Sequence, residues 1–234
     1  MFRFKKFTIE QERCAMKVGT DGCLLGAWAN IGNCNYILDI GCGSGLISIM
    51  SAQRSTAHII GVEIDSEAAA QARENAERSP WGNRIEIVNT DILKYRNDKL
   101  FDAIISNPPF FADSLKCPDS ARSIARHNTT LPCNAFMQSV KELLREGGTL
   151  SVIIPANLCE SWCDEALYKG LCLRRITYVR TLPYKQPKRV LMEFVKGAHS
   201  QPAIGEFTIE SSPGVYSNEA IELLRDFYIK LADK

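Results

Sequence analysis

The chain has 234 residues, 45% of them apolar and 24% charged, and a formal net charge of +1. That is enough chain for one large domain or two small ones of ordinary globular composition. It excludes a protein that is a polycation over its whole surface but leaves room for a local basic patch. No window approaches about 18 uninterrupted apolar residues, so no membrane span is expected. MFRFKKFTIEQ at the start has basic residues without an apolar run behind them, so no secretory signal is expected either, and the cytoplasm is the expected location. The nine cysteines are odd in number, scattered and without a Cys-x-x-Cys pair. Cys159 and Cys163 sit four apart on an expected helix with no histidine nearby, so a metal site is not expected, and free thiols suit a reducing compartment.

In chain order, residues 1–35 are a prelude. YILDI is a buried strand and GCGSG a glycine turn. LISIMSAQR is a helix and HIIGVEI a second strand. SEAAAQARENAERS is a helix with Ser66 as its N-cap and Pro80 past its end. RIEIVN and FDAIIS are a third and a fourth strand. After Phe111 comes a loop of nearly twenty residues, a length that often covers an active site. LPCNAFMQSVKELLREGG is a helix stopped by Gly147 and Gly148. TLSVIIP is a fifth strand, and ANLCESWCDEALYKG a helix ending at Gly170. LCLRRITYVRTLPYKQPKRVLMEFVKG is two strands around a Pro-containing loop, an antiparallel hairpin that finishes the sheet. SNEAIELLRDFYIKLADK is a closing helix capped by Ser217. Strands alternating with helices imply βαβ crossovers. The expected fold is α/β: a Rossmann-like mixed seven-stranded sheet, mostly parallel, with a C-terminal antiparallel hairpin and helices on both faces. Without a convincing linker, residues 1–234 read as one domain.

The glycine turn carries the first chemical signal. In LDIGCGSGL, Asp39, Gly41, Gly43 and Gly45 end a strand and open a helix, where glycines allow a tight turn and close approach of a ligand. Glu63 ends the second strand, eighteen residues after Gly45, and an acid there can accept both hydroxyls of a ribose. Asp91 ends the third strand, where it can accept from an adenine amino group, with Ile64 and Ile92 lining the ring; an ordinary turn cap is the alternative for Asp91. The spacing is Gly-x-Gly-x-Gly, whereas a pyrophosphate prefers Gly-x-Gly-x-x-Gly. An acid at 39 repels phosphate and suits a cation, which favours S-adenosylmethionine over a nicotinamide dinucleotide.

The fourth strand leaves the sheet through Asn107, Pro108, Pro109, Phe110 and Phe111. Two prolines cannot extend a strand. The ordered set of Asp-x-Gly-x-Gly-x-Gly, Glu63, Asp91 and Asn-Pro-Pro-Phe resembles the class I S-adenosylmethionine-dependent methyltransferases that act on amino nitrogens. The resemblance implies that the Asn107 side-chain oxygen and the Pro108 carbonyl each accept one N–H of an exocyclic amine. Pro109 keeps that backbone rigid and Phe110 offers a face for stacking. A rigid loop with a core Phe is the bland alternative. MKVGTDGCLLGAW resembles the segment that these enzymes set beside the methionine end of the cofactor. This makes Thr20 and Asp21 candidates there, with Lys17 on the carboxylate; helix capping by Thr20 or Asp21 is the alternative.

FRFKKFTIEQERCAMKVGTDGCLLGAW, SNPPFFADSLKCPDSARSIARH and YSNEAIELLRDFYIKL resemble the bacterial tRNA1(Val) adenine-37 N6-methyltransferase family. The resemblance implies methyl transfer to N6 of an adenine in a tRNA loop, where a base can be splayed out. Methylation of rRNA at guanine N2 or adenine N6 comes next, then a protein glutamine N5 methyltransferase, whose usual extra N-terminal helical domain is missing. A nicotinamide oxidoreductase and a non-catalytic RNA-binding module are rivals from other classes. No separate RNA-binding domain is visible, so contact with tRNA rests on the catalytic domain. Arg174, Arg175, Arg180, Lys185, Lys188, Arg189 and Lys196 face a single acid, Glu193, between Leu171 and Lys196; Arg3, Lys5 and Lys6 alternate with Phe2, Phe4 and Phe7. Expected RNA contacts are Lys5, Lys6, Arg126, His127, Lys188 and Arg189, with a solvated strand face the equal alternative for the hairpin.

Overall fold

The computed structural model describes residues 1–108, 131–197 and 201–231. A short hairpin of β1 (Phe2–Arg3) and β2 (Thr8–Ile9) precedes the main sheet. The apolar runs then form β3 (Tyr36–Ile40), β4 (His58–Glu63), β5 (Ile85–Asn89), β6 (Phe101–Ser106) and β7 (Leu144–Pro155). These five are parallel to one another, as strands buried on both faces tend to be. β8 (Leu171–Arg180), β9 (Arg189–Lys196) and β10 (Ala203–Thr208) complete an eight-stranded sheet in the order β10-β8-β9-β7-β6-β3-β4-β5. β9 runs antiparallel to both of its neighbours, and β10 is parallel to β8.

Helices α1 (Thr20–Trp28), α2 (Leu46–Arg54) and α3 (Ser66–Arg78) pack side by side on one face. There Leu24, Leu25, Ile49 and Met50 join Ile37, Ile59 and Ile105 of the sheet in one apolar cluster. α4 (Cys133–Leu143) and α5 (Cys159–Tyr168) cover the other face through Phe136, Met137, Val140 and Trp162. β11 (Glu210–Ser212) and β12 (Val215–Tyr216) form a small ribbon before α6 (Asn218–Leu224), which returns to α1.

Four boundaries differ from the sequence expectation. The N-cap of α3 is Asp65 rather than Ser66, its carboxylate accepting from the Ala68 N–H at 2.8 Å. Helix α4 ends at Leu143, short of Gly147, because Leu144 is fully buried and pairs with Phe101 as the start of β7. The C-terminal hairpin does not finish the sheet: β10 adds an eighth strand beside it, held in part by the Arg180–Glu206 ion pair at 2.5 Å. The closing helix stops at Leu224, after which the buried Phe227 lends its carbonyl to the Lys5 N–H at 2.8 Å. Ser217 caps that helix as expected, accepting from Ala220.

The topology fixes the ends of the molecule. All parallel strands deliver their C-termini to one rim of the sheet, the carboxyl edge. The reversal of β9 brings its first residue, Arg189, to that same edge opposite Pro155, the last residue of β7. The loop between β8 and β9 therefore stands at the carboxyl edge as well.

Candidate active site

One register row crosses the sheet at this edge: Val62, Ile40, Ser106, Val152 and Met192 are successive cross-strand partners. Glu63, Gly41 and Asn107 each stand one residue past that row. Three positions far apart in sequence are thus brought side by side by strand pairing alone.

At the glycine turn, Gly41, Gly43 and Gly45 have φ of +70°, +53° and +80°, a region that residues with a Cβ avoid. A Cβ placed on Gly41 or Gly43 would meet nothing within 4 Å, so the turn borders open space, while one on Gly45 would press against Ala72 at 3.4 Å. Glu63 Oε2 accepts from the Gly43 N–H and Oε1 from the Asp65 N–H, both at 2.9 Å. The carboxylate is held in place, and each oxygen keeps a further lone pair for a ligand. Asn89, which the sequence reading missed, braces the tip from below, donating to the carbonyls of Glu63 and Ile64.

Asp39 lies under the turn rather than on its surface. It is 1% exposed, Ser48 Oγ donates to its Oδ2 at 2.7 Å, and Oδ1 has no partner. Burial pushes its carboxyl up to about 7, with the nearby Glu63 charge adding to the rise. An orphaned buried carboxyl oxygen beneath an open glycine cradle, beside a second acid, fits a cationic ligand and opposes an anionic one. Asp91 Oδ1 accepts from the Leu93 N–H at 2.9 Å, so it caps its own turn. Ile64 is 69% exposed beside the cradle, whereas Ile92 is buried with Leu38, Ile40 and Val62.

Ser106, another residue the sequence reading passed over, is fully buried and donates from Oγ to the Ile40 carbonyl at 2.8 Å. This bond ties the last residues of β6 and β3, and so the bases of the Asn107 and Gly41 loops. Asn107 is half-buried and Pro108 buried. Pro109, Phe110, Arg126 and His127 lie outside the described residues. The first turn of α1 closes on Asn107: a Cβ on Gly22 would come within 4.0 Å of Asn107 Nδ2 and 3.2 Å of Leu46 Cδ2. Gly22 carried no signal beyond its place in the TDG triplet. Neither Thr20 nor Asp21 caps α1, whose N-cap is Gly19 with no side-chain bond. Thr20 is exposed, and Asp21 Oδ2 accepts from Arg189 Nε at 2.8 Å. Lys17 turns back on its own segment, donating to the Gln11 carbonyl at 2.5 Å.

The expected basic surface is divided by the fold. Arg174 and Arg175 flank the buried Glu193, Arg175 at 3.1 Å and Arg174 at 3.7 Å, and Arg175 also lies over the Trp28 ring at 3.5 Å. Arg180 pairs with Glu206, and Lys196 donates to the carbonyls of Lys141 and Leu144. Lys185 and Lys188 are exposed on the β8–β9 loop at the carboxyl edge, next to Arg189. Lys5 and Lys6 sit in the β1–β2 turn beside Arg78, the last residue of α3. Since α3 descends from the carboxyl edge, they stand at the opposite rim from Asn107, and Lys5 Nζ donates to the Arg225 carbonyl at 2.5 Å. Phe4 and Phe7 are buried and stack on each other at 4.5 Å, so those aromatics are packing rather than a platform for bases. Among the described residues no cluster of His, Cys, Asp and Glu is arranged to hold a metal, and no helix is long and apolar enough to cross a membrane.

Residues 23–167 match the model of the methyltransferase small domain family. A tRNA1(Val) (adenine(37)-N6)-methyltransferase of Phocaeicola vulgatus is 49% identical over 98% of both chains. Proteins of the same name from Bacteroides fragilis and Yersinia enterocolitica are 47% and 40% identical, over 98% and 97% of this chain and 98% and 92% of theirs. Among solved structures, a predicted O-methyltransferase from Agrobacterium tumefaciens superposes with a TM-score of 0.67 at 20% identity, over 88% of this chain and 96% of that one. At that identity the likeness is one of fold.

Proposed function

The chain belongs to the methyltransferase small domain family, and on that premise we propose that it transfers a methyl group from S-adenosylmethionine to N6 of an adenine in tRNA, adenine-37 of tRNA1(Val). The observation that carries the reaction class is the register row that sets the glycine cradle, Glu63 and Asn107-Pro108 next to one another. The choice of tRNA and adenine rests on the full-length relatives that bear that name. The cytosol, where tRNA is found, is then the place of action, and residues 1–35 serve the same catalytic domain as an extension packed into its core.

S-adenosylmethionine, when bound, supplies a methyl group on a cationic sulfur. The chain's residues bind and orient. The Gly41–Gly45 turn lets a ligand lie against its backbone, and the fixed Glu63 carboxylate takes ribose hydroxyls. Asp39 places negative potential beneath a positive ligand. Asp91 and Ile64 would hold the adenine ring, and Thr20 and Asp21 the methionine end. Asn107 and Pro108 offer two acceptors to an exocyclic amine whose lone pair is delocalised into its ring. Holding both N–H groups aims that nitrogen and favours the positive charge that builds on it. Once the nitrogen is cationic its extra proton passes to solvent water, so no general base is needed beforehand.

The test is incubation of the protein with labelled cofactor and unmodified total RNA, followed by separation of tRNA from rRNA and nucleoside mass spectrometry of each. N6-methyladenosine is the expected product, and Asn107→Ala should abolish it while sparing cofactor binding. N2-methylguanosine formed in rRNA instead would replace this reading.

A further inference from the structure

We propose that Tyr184, at the tip of the β8–β9 loop, is a stacking platform for a nucleobase of the substrate loop, with Lys185 and Lys188 on the adjoining phosphates. The inference rests on the RNA methyltransferase reading and assigns a substrate-positioning surface to it.

Among the described residues two aromatic side chains are largely exposed: Tyr168 at 82% and Tyr184 at 72%. Tyr168 ends α5, which descends from the last residue of β7 to the first of β8, so it stands at the amino edge. Tyr184 stands at the carboxyl edge with Asn107. Arg189 is opposite Pro155, three residues past the row that holds Ser106. At about 3.3 Å per residue the loop therefore rises about 10 Å above the floor of the site, as a wall beside it.

The wall is built to hold its shape. Leu182 anchors it at 8% exposure, the Lys185 N–H closes a turn on the Leu182 carbonyl at 2.9 Å, and Arg180 Nη1 reaches the Pro183 carbonyl at 3.3 Å. At its base the Lys188 N–H bonds the Val179 carbonyl at 3.1 Å, and Arg189 grips Asp21 of α1, whose next residue, Gly22, lies where an added Cβ would come within 4.0 Å of Asn107 Nδ2. A ring held out in solvent on a rigid support loses little freedom when a base stacks on it. The charge agrees with an RNA occupant: from Thr181 to Met192 there is no acid, and Lys185 and Lys188 are exposed while Arg189 is paired with Asp21. An acidic or apolar protein partner would not need a flat ring next to exposed lysines beside an amine-binding loop, whereas a single-stranded nucleic acid does.

The experiment compares full-length Tyr184→Ala and Tyr184→Phe with the wild type, measuring kcat and KM for unmodified tRNA and the cofactor Kd by calorimetry. Tyr184→Ala is expected to raise KM for tRNA about tenfold, with kcat and cofactor Kd unchanged, and Tyr184→Phe to behave as wild type because it keeps the face. Lys185→Ala and Lys188→Ala should each lower the slope of log affinity against log salt by about 0.7. An unchanged KM in Tyr184→Ala overturns the platform and leaves the exposed ring to a protein contact. An equal loss in Tyr184→Phe overturns it in favour of a hydroxyl hydrogen bond. A parallel rise in cofactor Kd overturns it by making the loop structural. A wild type that puts no methyl on tRNA removes the underlying function instead, an outcome separate from all three.

Discussion

Arg189 Nε donates to Asp21 Oδ2 at 2.8 Å, joining residues 168 positions apart and tying the amino end of β9 to the first turn of α1 beside Asn107. Both side chains are about a third exposed, which limits such a pair to roughly 0–1 kcal/mol of stability. Its effect is geometric: it fixes the β8–β9 loop against the helix turn whose Gly22 lies beside Asn107. Arg189→Ala should shift a urea melt by less than about 1 kcal/mol yet weaken methyl transfer to tRNA several-fold, and Arg189→Lys, lacking the planar Nε donor, should restore little. Collapse of the melt would show the pair to be a structural strut instead.

Asp39 sets a pH dependence. Its folded pKa, about 7, lies above the ordinary 3.8, so the neutral form is favoured in the free fold. The stability this confers is present at low pH and is lost as pH rises from 3.8 through about 7. A cationic ligand favours the carboxylate, so cofactor affinity should climb with pH below about 7, at most tenfold per unit, and level off above it. Calorimetry at pH 6 and pH 8 checks this, and Asp39→Asn should flatten the profile.

Ser106→Ala strands the buried Ile40 carbonyl, at a cost of about 1–3 kcal/mol. Because that bond joins the bases of the two functional loops, kcat should fall with stability. A chemical melt paired with steady-state kinetics reads both; unchanged kcat in a destabilised variant would confine Ser106 to folding.

Gly43→Ala forces a Cβ onto a backbone at φ +53°, costing roughly 1–2 kcal/mol, into space where the protein has no atom within 4 Å. On the proposed reading the methyl occupies room meant for the cofactor. Thermal shift should show a modest loss without cofactor and near-complete loss of the stabilisation that cofactor gives the wild type.

Arg175→Ala removes the nearer of two cations from Glu193, which is 2% exposed. Arg174 still faces the acid at 3.7 Å, so the loss should stay below the about 3–5 kcal/mol of a buried acid left with no partner. The salt dependence of tRNA binding should stay as in the wild type, since Arg175 serves the sheet. A changed salt slope with an intact melt would return Arg175 to the RNA surface.

The strand cores, the glycine turn and the order of the chemical motifs are all written in the sequence, because each is a local pattern. Apolar runs bounded by turn residues specify buried parallel strands. Glycines at 41, 43 and 45 specify positive φ, and Asn107-Pro108 specifies an abrupt exit from the sheet. The edge strand β10 was not legible, since AIGEFT is short, half polar and exposed on one side. Nor were the partners of the basic residues. Arg174, Arg175, Arg180 and Arg189 look alike in sequence, and a run of cations suggests an RNA surface. Strand register and helix packing decided that Glu193, Glu206 and Asp21 neutralise them, leaving Lys185 and Lys188 exposed at the carboxyl edge and Lys5 and Lys6 at the other. Charge pairing depends on distances across the folded molecule, between residues as far as 168 positions apart, and no local periodicity encodes such a distance.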